Sequence, residues 1–423
     1  MRVRAVVVNY NGGDEVLGSL RALLASTGVE LEVVLVDNGS WDGSPERVEA
    51  ELPDVRVHRS PGNLGYPGIN QVVQDLTDVD AVAIVNPDAV VAPDCVSLLA
   101  CALDADPGVG AACPLILLDG AYREVRIGLD GSARASLDLL DVQGAGRWHL
   151  TGPRVRRRWH RGVAWTVGDG SVVRTTGHHV RLTVRGHAPG TLSLGGVQVP
   201  VGRRPVTVDV PVDGPPVAVV QNAGSVIGPH GVGMNRGYHQ PDGPRFAVPC
   251  DVPAWCGAAV LLRSGYLQDV GLLDPRWFLY YEDTDLAWRG LLRGWRYRYV
   301  PAAHVTHAHS TTIGHGSALY DVQHTRNQLL TVTKNAPAGA VPAAWRDAVR
   351  LVGSQLRADV AARVRDRRLP EPVLTARRVR ALARAARLTP AVARDRRAAR
   401  GPSAVPDRDL PVLGRWVDPA EEV

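Results

Sequence analysis

Residues 2–10 read RVRAVVVNY and residues 31–40 read LEVVLVDNGS. Each is a near-continuous apolar run of strand length that stops abruptly at Asn, Asp, Gly or Ser. Such runs suit parallel strands buried on both faces. Between them DEVLGSLRALLAS (14–26) carries apolar residues at helical spacing. The same alternation continues outward. SPERVEAEL (44–52) reads as a helix, VRVHRS (55–60) as a third strand and GINQVVQDL (68–76) as a helix. AVAIVNPDA (81–89) reads as a fourth strand and PDCVSLLACALDAD (93–106) as its helix. Four strand–helix pairs in 106 residues predict an α/β fold, a doubly wound, mostly parallel sheet with helices on both faces.

Ligands of such sheets bind beyond the carboxyl ends of the strands. Those ends read Asn9-Tyr10-Asn11-Gly12, Asp37-Asn38-Gly39-Ser40, Asn63-Leu64-Gly65-Tyr66 and Asn86-Pro87-Asp88. Turn chemistry alone explains any one of them. Four along one edge point to a binding site. G-x-G-x-x-G and the phosphate-loop pattern are both absent, which argues against a dinucleotide fingerprint or a P-loop. A nucleotide diphosphate held through a metal fits better. Asp88 beside Asn86 suits a hard cation, Mg²⁺ or Mn²⁺, which keeps several waters and takes other ligands from phosphates. Asp37 can accept from a pyrimidine N3–H while Asn11 and Asn38 reach the ribose.

The rhythm changes near residue 147. HHVRLTVRG (178–186), GTLSLGGVQVPVG (190–202) and PVTVDVPV (205–212) alternate with period two between turn signals. They predict a small antiparallel β module over 147–220, inserted into the α/β body. Helical patterning resumes with CGAAVLLRSGYLQDVG (256–271). Two arginine-rich helices are expected at about 343–368 and 374–399, the first with an apolar stripe of Trp345, Val349, Val352, Leu356, Val360 and Val364. The expected divisions are 1–146, 147–220, 221–340 and a basic helical region and tail over 341–423.

The chain has 423 residues, 45% of them hydrophobic, enough for two or three cores. Its start, MRVRAVVVNYNG, lacks the apolar run and cleavage site of a signal peptide, and no stretch of about 18 apolar residues occurs. A cytoplasmic protein is expected. The five cysteines form no C-x-x-C and suit core positions better than a disulfide framework. Lys334 is the only lysine. From Trp345 to Arg400 sixteen arginines face five acids. That is eleven surplus positive charges in a chain of net charge +5, so the remainder carries six negative ones. A basic arm on an acidic body suits an anionic surface; a solvated bundle packed on the body is the alternative. Nucleic acid is disfavoured because no aromatic platform is interleaved with the arginines.

FLYYEDTDLAWR (278–289) places Glu282, Asp283 and Asp285 among aromatic residues. Carboxylates are rarely buried without a partner, so the run is either a solvated helix start or functional. His304, His307 and His309 follow a strand as H-x-x-H-x-H, a poor zinc pattern because alternation turns His304 and His307 to opposite faces. One histidine joining Asp88 on a metal, His307 by preference, is the better reading.

VVVNYNG, VDNGSWDGS, GNLGYPGIN, NPD, WCGAAVLLR, the long run VGLLDPRWFLYYEDTDLAWRGLLRGWRYRYVP, HVTHAHS and RNQLLTVTKNAP occur in this order. In that order they resemble family 2 inverting glycosyltransferases, most of all the rhamnosyltransferase-like members of actinobacteria. The resemblance covers roughly 3–130 and 220–340. It implies a GT-A fold, Rossmann-like, and inverting transfer of a sugar from a nucleotide diphosphate to a cell-envelope, polyprenyl-diphosphate-linked glycan, with a divalent cation. Asp283 becomes the general base, with Glu282 raising its pKa or orienting it, and Asp285 capping the helix or pairing with Arg289. Asn9, Tyr10, Asn11, Asp37, Asn38 and Ser40 would contact the nucleoside, and Asn63, Gly65 and Asn70 would shape its pocket. Asn86 and Asp88 stand where two acids are usual. Cys256 and Gly257 would line the donor sugar. Trp255, Trp277 and Tyr281 face the acceptor in this reading, though either tryptophan suits a core equally. Arg326 meets the diphosphate or makes an ion pair. A different class, a non-catalytic glycan-binding protein on the same scaffold, would leave the Glu282-Asp283 pair unused. A nucleotidyltransferase would need a phosphate loop that VVVNYNGG lacks.

Overall fold

A computed structural model describes residues 1–131, 136–144, 146–153, 155–158, 164–308, 317–366, 373–401 and 405–418. Two compact units are present. The first comprises Met1–Leu117, Asn222–Arg236 and Gly243–Val423, the second Leu118–Gln221 and Gly237–Asp242.

The first unit is built on a mixed, mostly parallel sheet. Its strands are β1 (Arg2–Asn9), β2 (Glu30–Asp37), β3 (Arg56–Arg59), β4 (Ala81–Val85), β5 (Ala89–Val91), β6 (Val109–Leu118), β7 (Ala259–Arg263) and β8 (Arg296–His307). The order runs from the short strand Cys250–Asp251 through β8, β6, β7, β4, β1 and β2 to β3, with β5 paired to β8. β1, β2, β3 and β4 are parallel. In register, Asn9 lies beside Asp37 at the carboxyl edge. α1 (Gly13–Leu24) and α3 (Cys95–Asp104) send Val16, Leu17, Leu20, Leu23, Val96 and Leu99 into one core with Val3, Ala5 and Val7.

Two expectations are corrected here. Residues 68–76 form no α-helix but a short 3₁₀ turn, Tyr66–Gln71. Ile69, Val72, Val73 and Leu76 are still buried, so the helical spacing recorded which side chains go inward rather than the backbone. The run Ala259–Arg263 is a strand, not part of a helix, and lies antiparallel between β4 and β6. A short apolar run buried on both faces has no period to separate strand from helix.

Because β7 runs antiparallel, its amino end lies at the carboxyl edge of the parallel strands. There Asn86 N donates to Ala258 O at 2.9 Å. β8 reaches the same edge with its carboxyl end, pairing His307 with Ala89. In chain order the later helices are α4 (Ser264–Val270), α5 (Glu282–Leu292), α6 (Ala318–Asn335), α7 (Ala340–Asp366) and α8 (Val373–Arg400). α8 packs on α6 with Ala381, Ala385, Val392 and Ala399 buried. The expected α7 stripe is only partly covered. Trp345 donates to Thr333 Oγ1 at 3.1 Å, whereas Val349, Leu356 and Val360 remain 56%, 52% and 52% exposed. The side chain of Val364 lies outside the described residues.

The second unit is a β-sandwich that starts some thirty residues before the expected 147. One five-stranded sheet contains Leu137–Gln143, His179–Gly186 and Val206–Pro211, the other Arg123–Gly131, Ser171–Thr175 and Gly190–Leu194. Val180, Leu182 and Val184 alternate inward to meet Ile127, Leu192 and Leu194 in its core. Strand Arg123–Gly131 was missed because REVRIGLDG interleaves charges with its apolar face.

Candidate active site

The polar carboxyl edge of the sheet is held by an asparagine that contacts no solvent. Asn9 is fully buried, and its Nδ2 lies 3.2 Å from Asp37 Oδ1, 3.0 Å from Ser40 Oγ and 2.9 Å from Ser44 Oγ. Asp37 is also buried and accepts from the amides of Gly39 and Ser40. Asn38, buried too, donates to Gly65 O at 2.8 Å. These three were expected to touch the nucleoside; in the structure they are buried and brace the turn, while Asn38 Oδ1 is left without a partner. The accessible groups are Tyr10, Asn11, Ser40 and Asn63. Asn11 adopts a left-handed backbone (φ 56°) and its Oδ1 accepts from Trp41 N at 2.9 Å. Trp41 is 74% exposed and meets Tyr10 edge to face. It was not singled out in the sequence, although a tryptophan inside an Asp-Gly-Ser turn is the kind of exposed aromatic that signals binding.

Gly65 has φ 67°, and a Cβ there would lie 2.0 Å from the Phe278 carbonyl oxygen. Only glycine permits this approach. Tyr66 N donates to that carbonyl at 2.8 Å, and its hydroxyl donates to Gly257 O. Tyr66 is thus a further site residue missed in the sequence. Asn70 Nδ2 donates to Leu273 O at 2.7 Å.

Gly257 N in turn donates to Asp283 Oδ2 at 3.1 Å. Asp283 Oδ1 accepts from Thr284 N at 2.6 Å. Burial pushes the Asp283 carboxyl above the usual range, against the lowering effect of those hydrogen bonds. Glu282 rises well above its ordinary value, from burial first and then the Asp283 charge. Its Oε2 is buried without a hydrogen-bond partner. Burial and the neighbouring Asp283 carboxylate both disfavour the charged form of Glu282. The Cys256 thiol is pushed up to about 12 by burial, so it lines the site as a neutral group.

Asp285 belongs to a different system. It accepts from Arg289 Nε, Lys334 Nζ and Asn335 Nδ2 at 2.9, 2.9 and 2.8 Å. Burial raises its pKa, but Lys334 and Arg289 outweigh that and hold it low. Lys334 also donates to Asp274 at 2.9 Å, so the one lysine of the chain is a buried crosslink between α5, α6 and the loop before α5.

Four expected contacts are corrected by burial. Trp255 and Trp277 are fully buried, and Trp277 Nε1 donates to Thr331 Oγ1; neither offers a face to a sugar. Tyr281 is buried, its hydroxyl accepting from Gly233 N. Arg326 is buried and donates to the carbonyls of Arg276 and Trp277; burial lowers its pKa to about 10. The half-buried aromatic groups near the carboxylates are Tyr280, Tyr320 and His324.

At the far side of the edge His307 Nε2 lies 2.8 Å from Asp88 Oδ1 and 3.4 Å from Asn86 Nδ2. His304 faces outward, and His309 lies outside the described residues. Among the described residues no cluster of three or more His, Cys, Asp or Glu could hold a metal by itself.

Residues 5–133 match the family described as Glycosyl transferase family 2. Over 320 residues the chain is 26% identical to N-acetylglucosaminyl-diphospho-decaprenol L-rhamnosyltransferase of Mycobacterium tuberculosis, covering 72% of this chain and 76% of the relative. A shorter match, 39% over 74 residues, is to succinoglycan biosynthesis protein ExoO of Rhizobium meliloti, covering 16% of this chain and 21% of that one. Among solved structures, GalNAc-T7 with UDP, GalNAc and Mn²⁺ is 13% identical with a TM-score of 0.46, covering 79% of this chain and 48% of that one. Mannosyltransferase PcManGT from Pyrobaculum calidifontis in complex with GDP-Man and Mn²⁺ is 14% identical with a TM-score of 0.41, covering 92% and 86%. Residues 5–133 thus match the family 2 glycosyltransferase model, and over 320 residues the chain is similar to a rhamnosyltransferase.

Proposed function

We propose that the protein is an inverting glycosyltransferase that moves a deoxyhexose such as rhamnose from a nucleotide diphosphate to a polyprenyl-diphosphate-linked glycan of the cell envelope. The observation that carries this reading is Asp283, half-buried with its carboxyl pKa raised, held by Gly257 N beside the polar carboxyl edge of the sheet. As the acceptor hydroxyl oxygen forms its bond to the anomeric carbon, Asp283 takes the hydroxyl proton. The bond from that carbon to the diphosphate breaks on the opposite face, so the configuration inverts. A raised pKa strengthens the base. Burial and the Asp283 charge favour the neutral form of Glu282, which leaves the proton-accepting role to Asp283. Tyr10, Asn11, Ser40 and Asn63 remain accessible to the nucleoside, and the Cys256-Gly257 backbone to the donor sugar.

Asp88 and His307, with Asn86 adjacent, offer two oxygen or nitrogen donors. That partial set suits Mg²⁺ or Mn²⁺, whose remaining positions go to water and phosphate oxygens. A cation bound there supplies charge neutralisation for the departing diphosphate. A lipid-linked acceptor lies at a membrane, and the basic region 343–400 supports docking on its anionic surface. Among the described residues no helix is long and apolar enough to cross a membrane.

The test is donor turnover. Purified protein is incubated with UDP-, dTDP- and GDP-sugars, with and without Mn²⁺ or Mg²⁺, and free nucleoside diphosphate is followed for wild type and Asp283→Asn. Turnover of one donor, reduced roughly 10²- to 10⁴-fold by Asp283→Asn, is expected, with the anomeric configuration of the product inverted. A fully active Asp283→Asn variant, or a product of retained configuration, defeats the mechanism. Donor or glycan binding without any turnover, even with acceptor present, favours a glycan-binding protein.

A further inference from the structure

Residues 278–281, just before α5, have a backbone that their side chains do not choose. Phe278, Tyr280 and Tyr281 have φ of 53°, 69° and 71°. Bulky residues rarely adopt this left-handed region, and they stay there only where the surroundings enforce it. The enforcement comes from α6. Asn327 is fully buried, and its Nδ2 donates to the carbonyls of Trp277, Leu279 and Tyr280 at 2.7, 2.9 and 2.7 Å. Two amide hydrogens are thus shared among three carbonyls. Arg326 Nε donates to Asn327 Oδ1 at 2.7 Å, which fixes which end of the amide faces the loop.

The same four residues join two parts of the site. On one side the Phe278 carbonyl accepts from Tyr66 N, where Gly65 leaves room for it. On the other, Tyr281 is the N-cap of α5 and makes no side-chain cap bond. The start of α5 therefore has no capping side chain of its own, and contacts from outside the helix hold it.

We propose that Asn327 is a positioning residue for sugar transfer: it holds the loop 278–281, in which Phe278, Tyr280 and Tyr281 have positive φ, so that Asp283 starts α5 facing Gly257 while Phe278 closes on Tyr66. This rests on Asp283 being the general base. Asn327 touches neither substrate nor Asp283 in this role; it acts through the loop.

Asn327→Asp tests the idea in the full chain. The shape is kept, but a carboxylate replaces the donating amide and faces three carbonyls. We expect kcat to fall on the order of 10- to 100-fold, as for a misplacement near 1 Å, with donor KM changed by less than about twofold. The pH profile of kcat adds a readout that simple destabilisation does not move. Asp283 is faced by Glu282 and Tyr281 on its own segment and by Tyr66 and Cys256 from elsewhere. Burial raises its pKa, and a base works only above its pKa. Loosening the loop admits water and lowers that pKa, so the acid limb of kcat should move to lower pH in the variant. If Asn327→Asp does not fold, Asn327→Ser, which keeps one donor, carries the same comparison with a smaller loss. A folded variant with wild-type kcat and an unmoved acid limb overturns the proposal. An active Asp283→Asn enzyme would instead overturn the general-base reading, so the two failures are distinguishable.

Discussion

At the scale of the residue, burial decides roles that residue type leaves open. Asp283 and Asp285 sit two positions apart in one acidic run. Asp285 finds Lys334, Arg289 and Asn335, and its carboxylate is held low. Asp283 finds only amides and a hydroxyl, and its carboxyl is pushed up. One is a structural anion, the other a candidate base. The sign for stability differs as well. The depressed pKa of Asp285 contributes stability that is complete above the ordinary carboxylate value and is lost as pH falls toward the folded value. Gly65 gives a sharper test. With φ at 67° and the Phe278 carbonyl where a Cβ would stand, Gly65→Ala must displace either the donor segment or the loop before α5. We expect donor affinity and Tm to fall together, Tm by several degrees, read by thermal unfolding with and without nucleoside diphosphate. An unchanged Tm and KM would mean that the loop yields without consequence.

At the scale of the element, α7 is the helix whose sequence pattern and environment disagree most. Val349, Leu356 and Val360 recur at spacings of seven and four, hence on one face, and all three are exposed. Arg346, Arg350 and Arg357 recur at four and seven on the neighbouring face, and they too are exposed. An apolar row flanked by arginines suits the interface of an anionic bilayer. We expect sedimentation with phosphatidylglycerol-containing vesicles, weak sedimentation with phosphatidylcholine alone, and loss of binding on adding salt. Leu356→Asp with Val360→Asp should reduce binding roughly tenfold or more without lowering turnover of a soluble donor. Equal binding by that variant would dismiss α7 as the contact. α8 shows the opposite case, since its small residues let it lie against α6, and Arg396 there donates to Thr333 O at 2.8 Å.

At the scale of the whole molecule, ligand and stability are linked. A nucleoside diphosphate with Mn²⁺ should raise Tm by a few degrees at concentrations well above Kd. Asp88→Ala should abolish the part of the shift that needs metal, and chelation should do the same to wild type. A metal-independent shift of full size would remove Asp88 and His307 from the cation site.

The sequence by itself determined the parallel half of the sheet, its polar carboxyl edge and the place of the acidic run, because these are local: an apolar run that ends in Asn, Asp or Gly is legible wherever it lies. Only the tertiary structure decided that Ala259–Arg263 is a strand in the middle of the sheet, since a run buried on both faces carries no period. It also decided that Asn9, Asp37 and Asn38 are buried and brace the turns at that edge. Trp255, Trp277 and Arg326 went to the core for the same kind of reason: whether a side chain meets solvent depends on what packs over it from distant positions. The hold of Asn327 on residues 278–281 spans nearly fifty residues of chain, and no local pattern records a hydrogen bond made across that distance.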